Sequence, residues 1–193
     1  MKLQKRFRLL VMAIACTAGR VHAGVIEFTD KAEWEAAGGA FTTIDFTGFP
    51  EFTLITDQYQ DLGVTFTDGN DVTRFMPFAF PNDSWGLKGN GEIHLSFATP
   101  QSWIGLDFPG FLRIFLFSND KLVFFSSIFA PPGGIGGFGG LVSNELFDSA
   151  ILTDPGDDLV FIDDLHFGVP APGALWVFAL AGIWKRSRRR VRD

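Results

Sequence analysis

The sequence predicts an all-β fold: an antiparallel β-sandwich with one short helix near its start, followed by a hydrophobic helix at the C-terminus. Three observations predict it. Of 193 residues, 23 are Phe and 22 are Gly but only 3 are Met, a balance that favours strands and turns over helices. Ten short runs of β-branched and aromatic residues recur between clusters of Gly, Pro, Asn and Asp, at 25–28, 42–46, 64–67, 72–75, 92–97, 103–108, 112–117, 122–128, 150–153 and 160–167. One of these runs, EIHLSF, alternates cleanly. Ile93, Leu95 and Phe97 fall on one face and Glu92, His94 and Ser96 on the other, as in a half-buried strand.

Taken in chain order, residues 1–23 read as a signal peptide. Lys2, Lys5, Arg6 and Arg8 charge its start, and residues 9–18 form an apolar stretch of 10 residues. That length lies inside the range of roughly 7–15 for such segments. Val21-His22-Ala23 then offers a cleavage site before Gly24. Cys16 is the only cysteine and leaves with the signal, so the exported domain, 24–168, must hold its core without a disulfide.

The domain opens with the run at 25–28. Asp30 then caps a helix over 31–37, with Glu33 three residues on, and Gly38-Gly39 stops it. Trp34 packs this helix on the sandwich. A further helical turn is expected over 57–61. PNDSWGLKGNG, around Trp85, reads as a loop. The runs at 112–117 and 122–128 form a hairpin through Ser118-Asn119-Asp120, residues that favour tight turns. PPGGIGGFGG reads as a flexible loop. Its Gly134, Gly136 and Gly139 spell G-x-G-x-x-G, but a dinucleotide site needs that motif between a strand and a helix, and the surroundings here are all β.

Charge divides the chain into three. Residues 1–23 carry five basic residues and no acid, 24–169 carry 5 basic against 21 acidic residues, and 170–193 carry six basic residues and one acid. The central net charge of −16 excludes nucleic-acid binding by counterion release, which needs clustered Lys and Arg. It suits cations, or good solvation.

Catalytic patterns are scarce. No G-x-S-x-G occurs, and beyond the signal only His94 and His166 remain, both read as surface strand residues. No zinc-type cysteine spacing or H-E-x-x-H exists. Calcium is the cofactor with the better pattern, because it takes oxygen ligands. Asp163-Asp164 interrupts FIDDLHF, and strand alternation turns one of the two inward, where an acid must be paired, hydrogen-bonded or metal-bound. Glu27 on the first strand, or Asp45 on the second, would meet it if first and last strands lie side by side. The alternative is that the acid caps turn amides or stays at the sheet edge. For a carbohydrate ligand, Trp85 with Asn82, Asp83 and Asn90 is the first candidate and Tyr59 the second. Trp85 either contacts such a ligand or lids the core. Trp103 begins an apolar strand and belongs to the core.

The chain closes with VPAPGALWVFALAGIWKRSRRRVRD. The apolar run 173–184 has 12 residues. As a helix it spans about 18 Å, short of a hydrocarbon core of about 30 Å. Lys185, Arg186, Arg188, Arg189, Arg190 and Arg192 come after it and fix the cytoplasmic side. A motif of small residues (Val169-Pro170-Ala171-Pro172), a short apolar helix and a basic end resemble the PEP-CTERM sorting signal of Gram-negative bacteria. The family usually carries Glu where this chain has Ala171. Body motifs extend the resemblance: Phe28-Thr29-Asp30-Lys31 with Trp34, Thr43-Ile44-Asp45-Phe46, Tyr59 with Leu62-Gly63-Val64-Thr65-Phe66, and Phe161-Ile162-Asp163-Asp164-Leu165-His166-Phe167-Gly168. These look like the exported domains that precede such tails.

The resemblance implies a jelly-roll sandwich related in shape to carbohydrate-binding modules, with 169–193 as a sorting signal. It implies handling by an exosortase, a membrane cysteine protease, during transient anchoring in the inner membrane. The expected function is that of a non-enzymatic protein of the cell surface or extracellular matrix, associated with exopolysaccharide. A lectin-like module is the alternative, and a secreted glycan hydrolase a more distant one.

Overall fold

In a computed structural model of the chain, the described residues are 24–67, 71–74, 85–131, 136–156 and 158–169. The expected signal peptide, Asn82, Asp83, and everything from Pro170 onward, including the hydrophobic run and the basic end, lie outside them. Among the described residues, ten strands and one α-helix occur in the order β1 (Val25–Phe28), α1 (Lys31–Ala37), β2 (Thr42–Ile44), a 3-10 turn (Gln60–Leu62), β3 (Val64–Thr67), β4 (Asp71–Arg74), β5 (Trp85–Asn90), β6 (Glu92–Phe108), β7 (Arg113–Ser118), β8 (Lys121–Phe125), β9 (Gly137–Thr153) and β10 (Leu159–Gly168). Every strand pairing is antiparallel.

Two long strands organise the sheet. The first half of β6 pairs β3 on one side and the end of β9 on the other, and β7 and β8 continue from β9. The second half of β6 lies between the end of β10 and the start of β9, with β2 and β1 outside them. β5 and β4 extend from the first half of β10. The β6–β9 register slips between Ser96 and Gln101 and again before Trp103, where the two halves join. Pro100 sits in that slip, where its missing N–H breaks no ladder.

Period-2 patterning feeds one core from both halves. Ile93, Leu95, Ile114, Leu116 and Leu152 from one half share a single buried cluster with Ile104, Leu106, Phe108, Leu141 and Leu165 from the other. Burying each such side chain contributes roughly 1.5–3 kcal/mol. The fold is therefore all-β, mostly antiparallel and sandwich-like.

A second, smaller cluster lies on the other face of the sheet, beneath α1. It holds Trp34, Trp103, Phe138 and Val142. Asp30 caps the helix by accepting a hydrogen bond from the Glu33 amide at 2.9 Å. Trp34 is fully buried. Its indole rests where Gly105 and Gly140 leave no side chain: a Cβ on Gly140 would lie 2.5 Å from Trp34 and one on Gly105 3.0 Å from it.

Several expectations change. The runs at 92–97 and 103–108 are one strand, and 150–153 is the end of a strand that begins at Gly137. Gly137–Gly140 of the expected flexible loop is thus strand. PNDSWGLKGNG is not all loop, because Trp85–Asn90 is β5. Gly38 ends α1 with φ −103°, so it is not a left-handed cap; it is small because a Cβ there would meet Trp103 at 1.9 Å. The hairpin is as read: Asn119 and Asp120 both take positive φ, as a type I′ turn requires.

Candidate functional site

Among the described residues, the face beneath α1 carries a cluster of two acids, a lysine and a histidine, and a break in strand phase creates it. Val160 and Ile162 point into the main core, and so do Leu165 and Phe167. Even positions face inward before Asp163-Asp164 and odd positions after. The β10–β6 register shifts between Asp163 and His166, and Asp164 adopts φ 42°. This bulge moves one residue past the ladder and flips every later side chain.

Asp163 lies opposite Asp107 of β6 and is buried. Its Oδ1 accepts the Asp164 amide at 2.8 Å, so it caps an amide, the alternative to binding a metal. Asp164 is half-exposed and Asp107 more covered. Between their carboxylates sits the ammonium of Lys31, the first residue of α1, 2.8 Å from Asp107 Oδ2 and 3.3 Å from Asp164 Oδ2.

His166, expected on the surface, is instead 3% exposed. The face it occupies would be solvated in a bare sheet, but Trp34 and Phe41 cover it, their rings 5.7 Å and 5.2 Å from the imidazole. Nδ1 forms a 2.8 Å hydrogen bond with the hydroxyl of Thr43, the cross-strand neighbour on β2. Nε2 is buried and has no hydrogen-bond partner among the described residues.

Burial dominates the electrostatics. It pushes the His166 pKa down to about 4, helped by the Lys31 charge and opposed by Asp164. It also lifts Asp107 above the usual carboxylate range: Lys31 pulls the other way and Asp164 adds to the rise. For Lys31, burial favours the neutral amine, but the two carboxylates outweigh it and raise the pKa.

This arrangement holds positive charge. The Thr43–His166 pair lacks, among the described residues, the third group that orients a catalytic histidine, since Nε2 has no hydrogen-bond partner there. A base with a pKa near 4 is also weak at neutral pH. Beside the cluster opens a cleft of about 690 Å3, lined by Thr29, Asp30, Asp107, Phe108, Phe129 and Phe138 among others.

The structure scatters the remaining candidates. β1 pairs β9, so first and last strands are not neighbours, and Glu27 accepts the amide of Ser127 at 2.7 Å and its hydroxyl. β2 does flank β10, but Asp45 accepts the Thr47 amide and hydroxyl at 3.1 and 2.9 Å. Tyr59 is buried, its ring within about 6 Å of Phe46, Phe49 and Phe66. Trp85 is half-buried and packs against the main core, as a lid does. His94 stays at the surface, 2.6 Å from Glu92. Val169 is exposed immediately after β10.

Sequence reading missed Lys31, Thr43 and Asp107. A signal existed for two of them. Lys31 is three residues before Trp34, and side chains spaced by three share a helix face, so a helix that buries Trp34 turns Lys31 to the same sheet. Asp107 is the lone charge in the apolar run WIGLDF. Among the described residues no helix is long and apolar enough to cross a membrane. The chain matches no protein-family model, no curated protein and no solved structure.

Proposed function

We propose that the chain is an exported, non-enzymatic protein of the cell surface or extracellular matrix, sorted by an exosortase-type processing enzyme in a Gram-negative bacterium. One observation carries the reading. β10 ends at Gly168, and Val169, the first residue of the Val169–Pro172 motif, is already 52% exposed. The sandwich closes where the tripartite tail starts. A membrane protease acting after Val169 would therefore leave β10 in place. The resemblance of tail and body motifs adds the jelly-roll wiring, the transient stay in the inner membrane, and the association with exopolysaccharide.

Mass spectrometry of protein recovered from the cell surface tests this. Peptides are expected up to about Pro172 and none beyond. Intact 176–193 on the surface-exposed form would overturn processing in favour of a plain tail anchor.

A lectin-like role is the second reading. The cleft beside Asp107 favours it, since about 690 Å3 falls within the size of small-ligand sites and aromatic and acidic groups line it. Polysaccharide binding by the purified protein, lost on Asp107→Ala, would raise it to first place.

A further inference from the structure

We propose that Asp107, Asp164 and His166 form a binding site for a divalent transition cation of the zinc class, with the Lys31 ammonium as its built-in competitor. One carboxylate oxygen from each acid and a ring nitrogen of His166 all lie within 4.8 Å of one another. Tetrahedral zinc bound at about 2.0–2.2 Å needs ligand atoms roughly 3.3–3.5 Å apart. The three ligand atoms therefore have to close by up to about 1.4 Å to hold a tetrahedral ion.

An independent observation concerns His166. Its side chain is buried, and Nε2 has no hydrogen-bond partner among the described residues. Leaving a buried polar atom unpaired is costly, and a metal bond removes that cost. Nδ1 faces Thr43 on β2. The two ring nitrogens point to opposite sides of the imidazole, so Nε2 faces away from β2, the side on which β6 pairs with β10. With the Thr43 hydroxyl accepting the Nδ1 proton, Nε2 presents its lone pair. This is the outer support that metal-bound histidines require.

The donor set selects the cation. Calcium takes six to eight oxygens. Two carboxylates and an imidazole suit zinc and its neighbours, with a fourth position left for water. Lys31 holds the place of that charge: it touches both acids, and its side chain is a third exposed, so it has a path to solvent. The net −16 of residues 24–169 draws cations in from a distance.

The test titrates purified full-length protein with Zn2+ by calorimetry, with Ca2+ alongside, and follows Co2+ by visible absorption. Lys31→Met is expected to bind Zn2+ at least tenfold more tightly than wild type and to show the intense cobalt bands of a tetrahedral site. His166→Gln and Asp164→Asn are each expected to lose at least tenfold. Asp164 is half-exposed, so its variant keeps the test standing should His166→Gln fail to fold. Equal Zn2+ affinity in wild type and Lys31→Met would overturn the proposal. So would binding that survives Asp164→Asn but disappears in His94→Gln, which would put the ion on the surface Glu92–His94 pair.

Discussion

Asp164 decides which way the end of β10 faces. Its positive φ inserts one residue, so Leu165 and Phe167 reach the core and His166 falls beneath α1. The consequence is a neutral, buried imidazole. His166 has a pKa of about 4 in the folded state against 6.5 for an exposed histidine. Below 6.5 the unfolded chain takes up a proton that the folded chain refuses. Stability is therefore complete above about 6.5 and is lost as pH falls toward 4. The full shift is worth about 3 kcal/mol by linkage. Asp107, held above the usual carboxylate range, contributes the opposite sign at the acid end of that window, because the folded state binds its proton more readily. Urea titrations at pH 7 and pH 4.5 are expected to show wild type losing about 2 kcal/mol or more, with the loss largely absent in His166→Gln. The sequence places His166 at the surface near a strand end, and only the bulge at Asp164 puts it on the outer face. What the sequence does not write at that position is the helix lying on top of it. Burial by a neighbouring element is a tertiary fact, so the doublet Asp163-Asp164 was visible as an anomaly and its partners were not.

The helix and its seat show what was legible one level up. Asp30, the Trp34 position and the hairpin at Asn119-Asp120 were readable because caps and tight turns are local chemistry. The runs 92–97, 103–108 and 150–153 were readable as strands, but the continuity of 92–108 and 137–153 was not, because proline and glycine ordinarily interrupt strands. Those glycines serve contact. A Cβ on Gly140 would lie 2.5 Å from Trp34 and 2.7 Å from Phe138. Gly140→Ala is accordingly expected to cost about 1–3 kcal/mol, the usual range for overpacking. Trp34→Ala is expected to cost about 3–5 kcal/mol. The double variant identifies the cause. If the indole is what the methyl strikes, Gly140→Ala costs at least 1 kcal/mol less in the Trp34→Ala background, a coupling that denaturant midpoints resolve. Additive losses would mean that the glycine serves the strand backbone and not the seat.

For the whole molecule, a strongly acidic sandwich-like domain runs into a short apolar segment and a basic end, and the two parts answer to different physics. The domain's stability resides in the core shared by both sheet halves and in the Trp34 cluster. β10 sits between β5, β2 and β6, pairing with each, and the strand ends at Gly168. Removing the residues after Val169 therefore takes away no ladder hydrogen bond of the described strands. Under the proposed sorting, the same cut removes the only feature that a membrane protease reads. A chain stopped after Val169 is thus expected to melt within about 2 °C of the full chain, since a 1 kcal/mol change in a domain of this size moves Tm by roughly 2–4 °C. It is also expected to leave the cell surface and accumulate in the compartment reached after signal cleavage. The two readouts separate the alternatives. A fall of about 5 °C or more would make the tail a structural part of the fold. Unchanged Tm with unchanged surface display would make the tail dispensable for delivery, and address and domain would have to be sought in the same residues.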